Sequence, residues 1–303
     1  MKRLLTTFVT SAAFLFAELG VCAPIRSPEQ DEATVLAFWT PENMKLAESA
    51  FGGPANPVNE VLTKDGDRFG FIEVTQAHTD KLGRRAGVLF YVSTDGVPQH
   101  CSATVLDSPK GDLVLTAAHC VVERGCNWKG MALFVPSYDG TAAESQRAPL
   151  GRWPVHYKYI PVEDAYSSVD SDLAIVSVFP QQGMSLQSKL GGASKPYISE
   201  AEEKLPNGEI WSYPGVYYSG GEMQRCLSRL EPIVHTSGIS TPNCATMSGS
   251  SGSGFRIVEE DSDWVAGVVH GTGISSRLRE STFDGLYKLA SGASDQASEC
   301  SAP

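Results

Sequence analysis

The sequence has no excess of positive charge: 24 Lys and Arg stand against 35 Asp and Glu, a formal charge of −11 over 303 residues. Phosphate backbones and anionic membrane surfaces require clustered Lys and Arg, so neither nucleic acid nor a lipid headgroup is the expected partner. Charged residues are scarce altogether, at 19% beside 42% hydrophobic ones, which excludes a chain disordered by composition and leaves enough apolar residues for a sizeable core. No internal repeat or heptad is present, which excludes a solenoid or a coiled coil. His78, His100, His156 and His235 fall in no metal spacing such as His-Glu-x-x-His, and Gly271-Thr272-Gly273 lacks the third glycine of a dinucleotide fingerprint. With no phosphate loop either, no metal and no cofactor are expected. An Asn-x-Ser/Thr acceptor is also missing, as is a Gly-x-Ser-x-Gly elbow, so an α/β-hydrolase is not supported.

The apolar run near the start is too short to span a bilayer comfortably. Lys2 and Arg3 precede Leu4, Leu5, Phe8, Val9 and Phe14 to Phe16, and the small-residue stretch Val21-Cys22-Ala23 follows. This is the pattern of a secretory signal peptide over residues 1–23, with a lipid anchor at Cys22 as the weaker alternative. Export to the extracellular space or periplasm, with no membrane attachment after cleavage, is the expectation. Removing the signal leaves six Cys, at 101, 120, 126, 226, 244 and 300; an even number in an exported chain implies disulfides, and six allow 15 pairings. Residues 24–85 are charged and broken by Pro and Gly, and end on Arg84-Arg85. They read as a pro-segment or N-terminal extension, processed after the basic pair, with one short helix where Leu36, Trp39, Met44 and Ala47 share a face that Pro41 interrupts.

From residue 86 the pattern turns to short apolar runs bounded by Gly, Pro, Asp or Ser, among them Ala86 to Val92, Ser102 to Leu106, Leu113 to Ala118, Leu173 to Phe179 and Trp264 to Val269. They predict an all-β domain over 86–303, a barrel pair or sandwich. Phe283, Leu286, Tyr287 and Leu289-Ala290 predict one short C-terminal helix before a Ser-rich tail expected to fray.

Three segments carry chemistry. In Leu115-Thr116-Ala117-Ala118-His119-Cys120 a histidine ends a small-residue strand beside a Cys that can pin it, after the Cys-bearing His100-Cys101-Ser102-Ala103. In Ser171-Asp172-Leu173-Ala174-Ile175-Val176 an acid precedes an apolar run and can accept an imidazole N–H; alone it is an ordinary turn residue, with Asp170 and Asp164 as neighbours. Gly249-Ser250-Ser251-Gly252-Ser253-Gly254 would in isolation be a flexible linker.

Together, in this order, the three resemble the histidine, aspartate and nucleophile segments of chymotrypsin-like serine proteases. The resemblance covers most of residues 86 to 290 and implies two antiparallel six-stranded β-barrels with a cleft between them. It makes Ser251 the nucleophile, with Ser253 the rival, His119 the general base and Asp172 its orienting acid, and gives the oxyanion to the N–H groups of Gly249 and Ser251. It pairs Cys101 with Cys120 and Cys226 with Cys244, which leaves Cys126 with Cys300. Phe134-Val135-Pro136-Ser137-Tyr138-Asp139-Gly140, Trp211-Ser212-Tyr213-Pro214-Gly215 and the N-terminal Phe38-Trp39-Thr40-Pro41-Glu42-Asn43-Met44 are most similar to secreted proteases related to glutamyl endopeptidases. Two positions depart from the pattern. Ser250 replaces the acid that in trypsin receives the new N-terminal ammonium, and Gly254 replaces the loop's final proline.

Ala245 falls where trypsin carries its pocket acid, so Arg or Lys would meet no counter-charge, whereas Thr246 and His270 resemble the carboxylate-binding pair of glutamate-specific relatives. The expected activity is secreted, monomeric peptide-bond hydrolysis of protein or peptide substrates, possessing a preference for Glu or Asp before the scissile bond. The alternative is a catalytically inactive homologue that serves as a secreted binding module.

Overall fold

The run Ala86–Val92 is apolar along its whole length because both of its faces are covered. As a strand it divides its side chains by the two-residue period: Leu89 and Tyr91 enter one core, Ala86, Val88 and Phe90 another. The computed structural model describes residues 23–51, 69–200, 203–257 and 263–300. All of the expected signal peptide except Ala23, and the Gly52–Pro57 cluster, lie outside the described residues.

Leu89 and Tyr91 face the inside of a closed barrel. Ala86–Val92 pairs with Pro98–Leu106 and Gly130–Pro136; Pro98–Leu106 continues to Leu113–Thr116, then Ala174–Val178, then Trp153–Ile160, which returns to Gly130–Pro136. All six pairings are antiparallel. A second sheet is built around Gly208–Ser212, Gln224–Ser228, Gly254–Ile257, Trp264–Gly271 and Ile274–Arg277, with Phe71, Ile210, Phe255 and Val269 in its core. Two β-barrel units and a short C-terminal helix are thus present, as expected, but the second is an open half-barrel rather than a closed six-stranded one among the described residues.

The outer face of Ala86–Val92 is covered by the N-terminal segment. Two helices form there rather than one: α1, Glu32–Phe38, capped by the Asp31 carboxylate on the Thr34 N–H, and α2, Pro41–Glu48, capped by Thr40 on Asn43. Pro41 breaks the first helix and starts the second, since at the first helical position its missing N–H costs nothing. Trp39 between them is fully buried and donates its indole N–H to the Met131 carbonyl. Burying an indole removes on the order of 200 Å² from water, about 5 kcal/mol. Val35, Met44 and Ala47 join it against Val88, Phe90, Leu133 and Val135, and Arg152 clamps the carbonyls of Leu36 and Trp39 at 2.8 and 2.7 Å.

The basic pair expected as an exposed processing signal is held down. Arg84 donates to the carbonyls of Leu190 and Lys189 at 3.0 Å each, and Arg85 is buried and ion-paired with Asp263. At the other end, the helix Gly285–Ser291 buries Leu286, Leu289 and Ala290 in the closed barrel's core. The tail behind it is tied rather than frayed: Ser298 N–H donates to the Pro24 carbonyl at 2.9 Å, and Cys300 is bonded to Cys126. The other disulfides join Cys101 to Cys120 and Cys226 to Cys244.

Candidate active site

Strand register brings His119 to Asp172. Ala174 opposes Thr116 across the Ala174–Val178 and Leu113–Thr116 pair, so residues just before one strand lie beside residues just after the other. Past Thr116 the chain makes a single 3-10 turn, Ala118–Cys120, closed by the Cys101–Cys120 bond. There Asp172 Oδ1 accepts the His119 backbone N–H at 2.8 Å and Oδ2 accepts from Nδ1 at 2.7 Å. The carboxylate is completely buried and the imidazole is 30% exposed. Burial alone would raise the Asp172 pKa, but the charge of His119 and the hydrogen bonds from His119 and His270 outweigh it and hold the group below the ordinary carboxylate value. The competing acid Asp170 is engaged elsewhere, accepting the N–H and hydroxyl of Ser237 at 2.6 and 2.5 Å.

The loop of Ser251 docks onto both sides of this arrangement. Gly252 N–H donates to the Val269 carbonyl at 2.9 Å, and the Ser251 carbonyl accepts from Ser102 N–H at 2.8 Å. Gly252, at φ +84°, has no room for a β-carbon, which would strike Thr116 Oγ1 and the Ser102 carbonyl and lie 3.2 Å from Ala117 N, two residues before His119. Ser251 is half-buried, whereas Ser253 is buried and donates to the Ser250 carbonyl at 2.8 Å, so its hydroxyl is committed. Ser251 Oγ and His119 Nε2 are not hydrogen-bonded to each other among the described residues; such bonds often tighten only when substrate is bound. Gly254 is explained by packing: it begins the strand Gly254–Ile257, and a β-carbon would sit 2.7 Å from Val265 Cγ2 and 2.8 Å from Thr104 Oγ1.

Thr246 and His270, the residues expected to bind a substrate carboxylate, differ in what they can offer. A register shift between Val269 and Gly271 interrupts the strand at His270, and its Nδ1 lies 2.6 Å from Asp172 Oδ2. One buried carboxylate oxygen therefore orients two imidazoles, whose ring centroids are 6.0 Å apart. The hydrogen bond to Asp172, helped by its charge, raises the His270 pKa against partial burial. Thr246 is buried, donates to the Gly271 carbonyl at 2.6 Å and accepts from Gly273 N–H at 2.8 Å. Its single proton is spent on the backbone beside His270, so in this arrangement it has none for a carboxylate. His119, Asp172 and His270 also form a donor set, Nδ1, Oδ2 and Nδ1, compact enough for a cation, though each atom is satisfied by the hydrogen bonds given. Local sequence gave no sign of the Asp172–His270 contact, 98 residues apart.

The closed barrel, the half-barrel sheet and the short C-terminal helix define the fold of the chymotrypsin-like serine proteases. Solved structures agree. A thermostable serine protease from an extremophilic microorganism matches with TM-score 0.59 and 20% identity, covering 72% of this chain and 100% of that one. The protease Anisep from Arthrobacter nicotinovorans matches with TM-score 0.60 and 20% identity over 70% and 98% of the two chains. A Glu endopeptidase matches with TM-score 0.55 and 16% identity over 77% and 100%. No protein-family model and no curated protein sequence matches the chain.

Proposed function

We propose that the chain is a serine endopeptidase with Ser251, His119 and Asp172 as its triad. The observation that carries this reading is the two-point hold of Asp172 on His119, through the backbone N–H and Nδ1, beside the strand end where the Ser251 loop docks. An Nδ1–H bound to a carboxylate leaves Nε2 as the base. His119 takes the Ser251 proton as Oγ attacks the scissile carbonyl carbon, and the N–H groups of Gly249 and Ser251 bind the oxyanion. The imidazolium then protonates the leaving amine, and water, deprotonated by His119, releases the acyl group.

The finer reading is a preference for Glu or Asp before the scissile bond, resting on His270. With Nδ1 given to Asp172, only Nε2 remains for substrate, and the raised pKa favours the protonated ring that donates from it. A charge-assisted bond to a carboxylate is about twice as strong as a neutral one. The Glu endopeptidase among the structural neighbours and Ala245 are in keeping with this. Export of the chain fits three disulfides and the absence, among the described residues, of any helix long and apolar enough to cross a membrane.

Labelling with an organophosphonate, with Ser251→Ala as control, tests the triad. Stoichiometric labelling of the wild type alone is expected, and no labelling would favour the binding-module alternative. Profiling with a peptide library, repeated with His270→Ala, tests the preference; cleavage after Arg, Lys or large apolar residues, or a Glu preference indifferent to His270→Ala, would overturn it.

A further inference from the structure

We propose that His100 is a positioning residue of the nucleophile loop, and that through it the N-terminal helices hold that loop, so they belong to the working protein rather than to a removable leader. The proposal rests on the reading of Ser251 as nucleophile.

The His100 ring is fully buried between the two segments. Nδ1 lies 2.8 Å from the Ala47 carbonyl in α2, and Nε2 lies 2.9 Å from the Tyr213 carbonyl. Both partners are acceptors, so the neutral ring, with one N–H, donates to one of them and only the protonated ring donates to both. Burial pulls the ring's pKa down, opposed by these two carbonyls and by the buried Glu48 carboxylate, itself bonded to Tyr138 and Lys45. The ring is packed against glycines: a β-carbon on Gly249 would lie 2.6 Å from Nε2, and one on Gly220 2.8 Å from Cε1. Phe51, just after α2, meets the ring edge-on at 5.2 Å between centroids. Only glycine lets these two stretches of backbone approach one imidazole this closely.

From Tyr213 the hold passes to the loop through the backbone. Tyr213 N–H donates to Ser102 Oγ at 2.9 Å, and that hydroxyl donates to the Gly249 carbonyl at 2.8 Å. Gly215 N–H donates to the Ser248 carbonyl at 2.8 Å. A trans peptide points its C=O and N–H in opposite directions, so binding the Ser248 carbonyl turns the Gly249 N–H, the proposed oxyanion donor, away from Gly215. No charge in the loop does this: Ser250 is neutral and buried, its hydroxyl 3.3 Å from that of Ser212. The hold therefore runs from α2 through the buried His100 ring, packed between Phe51 and Gly249 and hydrogen-bonded to the carbonyl its proton faces, and from Tyr213 to Gly215, Ser248 and the Gly249 N–H. A chain cut after Arg85 would keep it only while the severed segment stayed bound.

The test uses His100→Phe, His100→Gln and Trp39→Leu in the full chain, read by kinetics and by amide hydrogen exchange. Losing one oriented oxyanion donor lowers kcat about 10²-fold, and His100→Phe should do so with KM changed less than about threefold. Gln sets its amide nitrogen near the Nε2 position and should restore kcat to within about tenfold of wild type. Trp39→Leu loosens the helices far from the loop, and residues 41–51 and 213–215 should lose exchange protection together. Wild-type kcat in His100→Phe, or unchanged protection at 213–215 when Trp39→Leu deprotects 41–51, would overturn the proposal. The exchange comparison needs no activity, so it still decides if His100→Phe does not fold or if the protein hydrolyses no peptide, the latter result counting against the protease reading instead.

Discussion

Replacing His270 by Asn isolates the charge that two histidines share through one carboxylate. The Asn side-chain amide can still donate to Asp172 Oδ2 but does not titrate, so the variant keeps the hydrogen bond made at 2.6 Å and loses only the proton equilibrium. The folded-state pKa of His270 is raised by Asp172, above an unfolded value of about 6.5. A raised histidine pKa contributes stability that is complete below the unfolded value and is lost as pH rises through the folded one. Asp172 has the opposite sign, with stability present above about 3.9 and lost as pH falls through its depressed folded value, so it leaves the neutral range flat. The unfolding free energy of the wild type relative to His270→Asn should therefore decline from pH 6.5 upward. At most one proton is involved, which limits the slope to about 1.4 kcal/mol per pH unit. Because the ring is 30% exposed, solvent screening reduces it to a fraction of that limit. Urea unfolding of both proteins with disulfides intact, from pH 5.5 to 9, measures the difference. Parallel curves, or a wild-type advantage that grows with pH, would refute the argument.

Gly249→Ala should abolish organophosphonate labelling and lower the melting temperature. At φ +92° a side chain costs roughly 1–2 kcal/mol, and here it would also strike the Tyr213 carbonyl and lie 2.6 Å from His100 Nε2, neither of which can yield; labelling at the wild-type rate would contradict this. Removing the Cys126–Cys300 bond by a double Ala substitution should lower stability by up to about 5 kcal/mol, the chain-entropy value for a closure of this length. The two residues are 174 apart, and the urea midpoint of the variant measures the loss. An unchanged midpoint would contradict the chain-entropy account of this bond.

His119 and the strands could be read because their signals are local. A small-residue strand ending in His-Cys shows in six consecutive residues, and the unbroken apolar run Ala86–Val92 reports that a strand is buried. The same run is apolar on both faces, but what covers the second face is decided far away in the chain. Residues 24–51 read as a leader because charge and Pro41 dominate locally, while their contribution to the core comes from a few side chains, Val35, Trp39, Met44 and Ala47, whose burial depends on the barrel they meet. Arg84-Arg85 similarly reads as an exposed cleavage signal, and only the approach of Leu190, Lys189 and Asp263 holds it down. Composition and motif order alone led to a disulfide-bonded β protein with His119, Asp172 and Ser251 in that order, and to the expectation that it is exported. The tertiary structure decided that Asp172 serves two imidazoles, that Thr246 spends its proton on the backbone, and that His100 lies between the carbonyls of Ala47 in α2 and Tyr213. Each of these rests on a hydrogen bond between residues 25 to 113 apart, and hydrogen-bond direction across that separation is set by strand register and close packing, to which a linear pattern of residue types is blind.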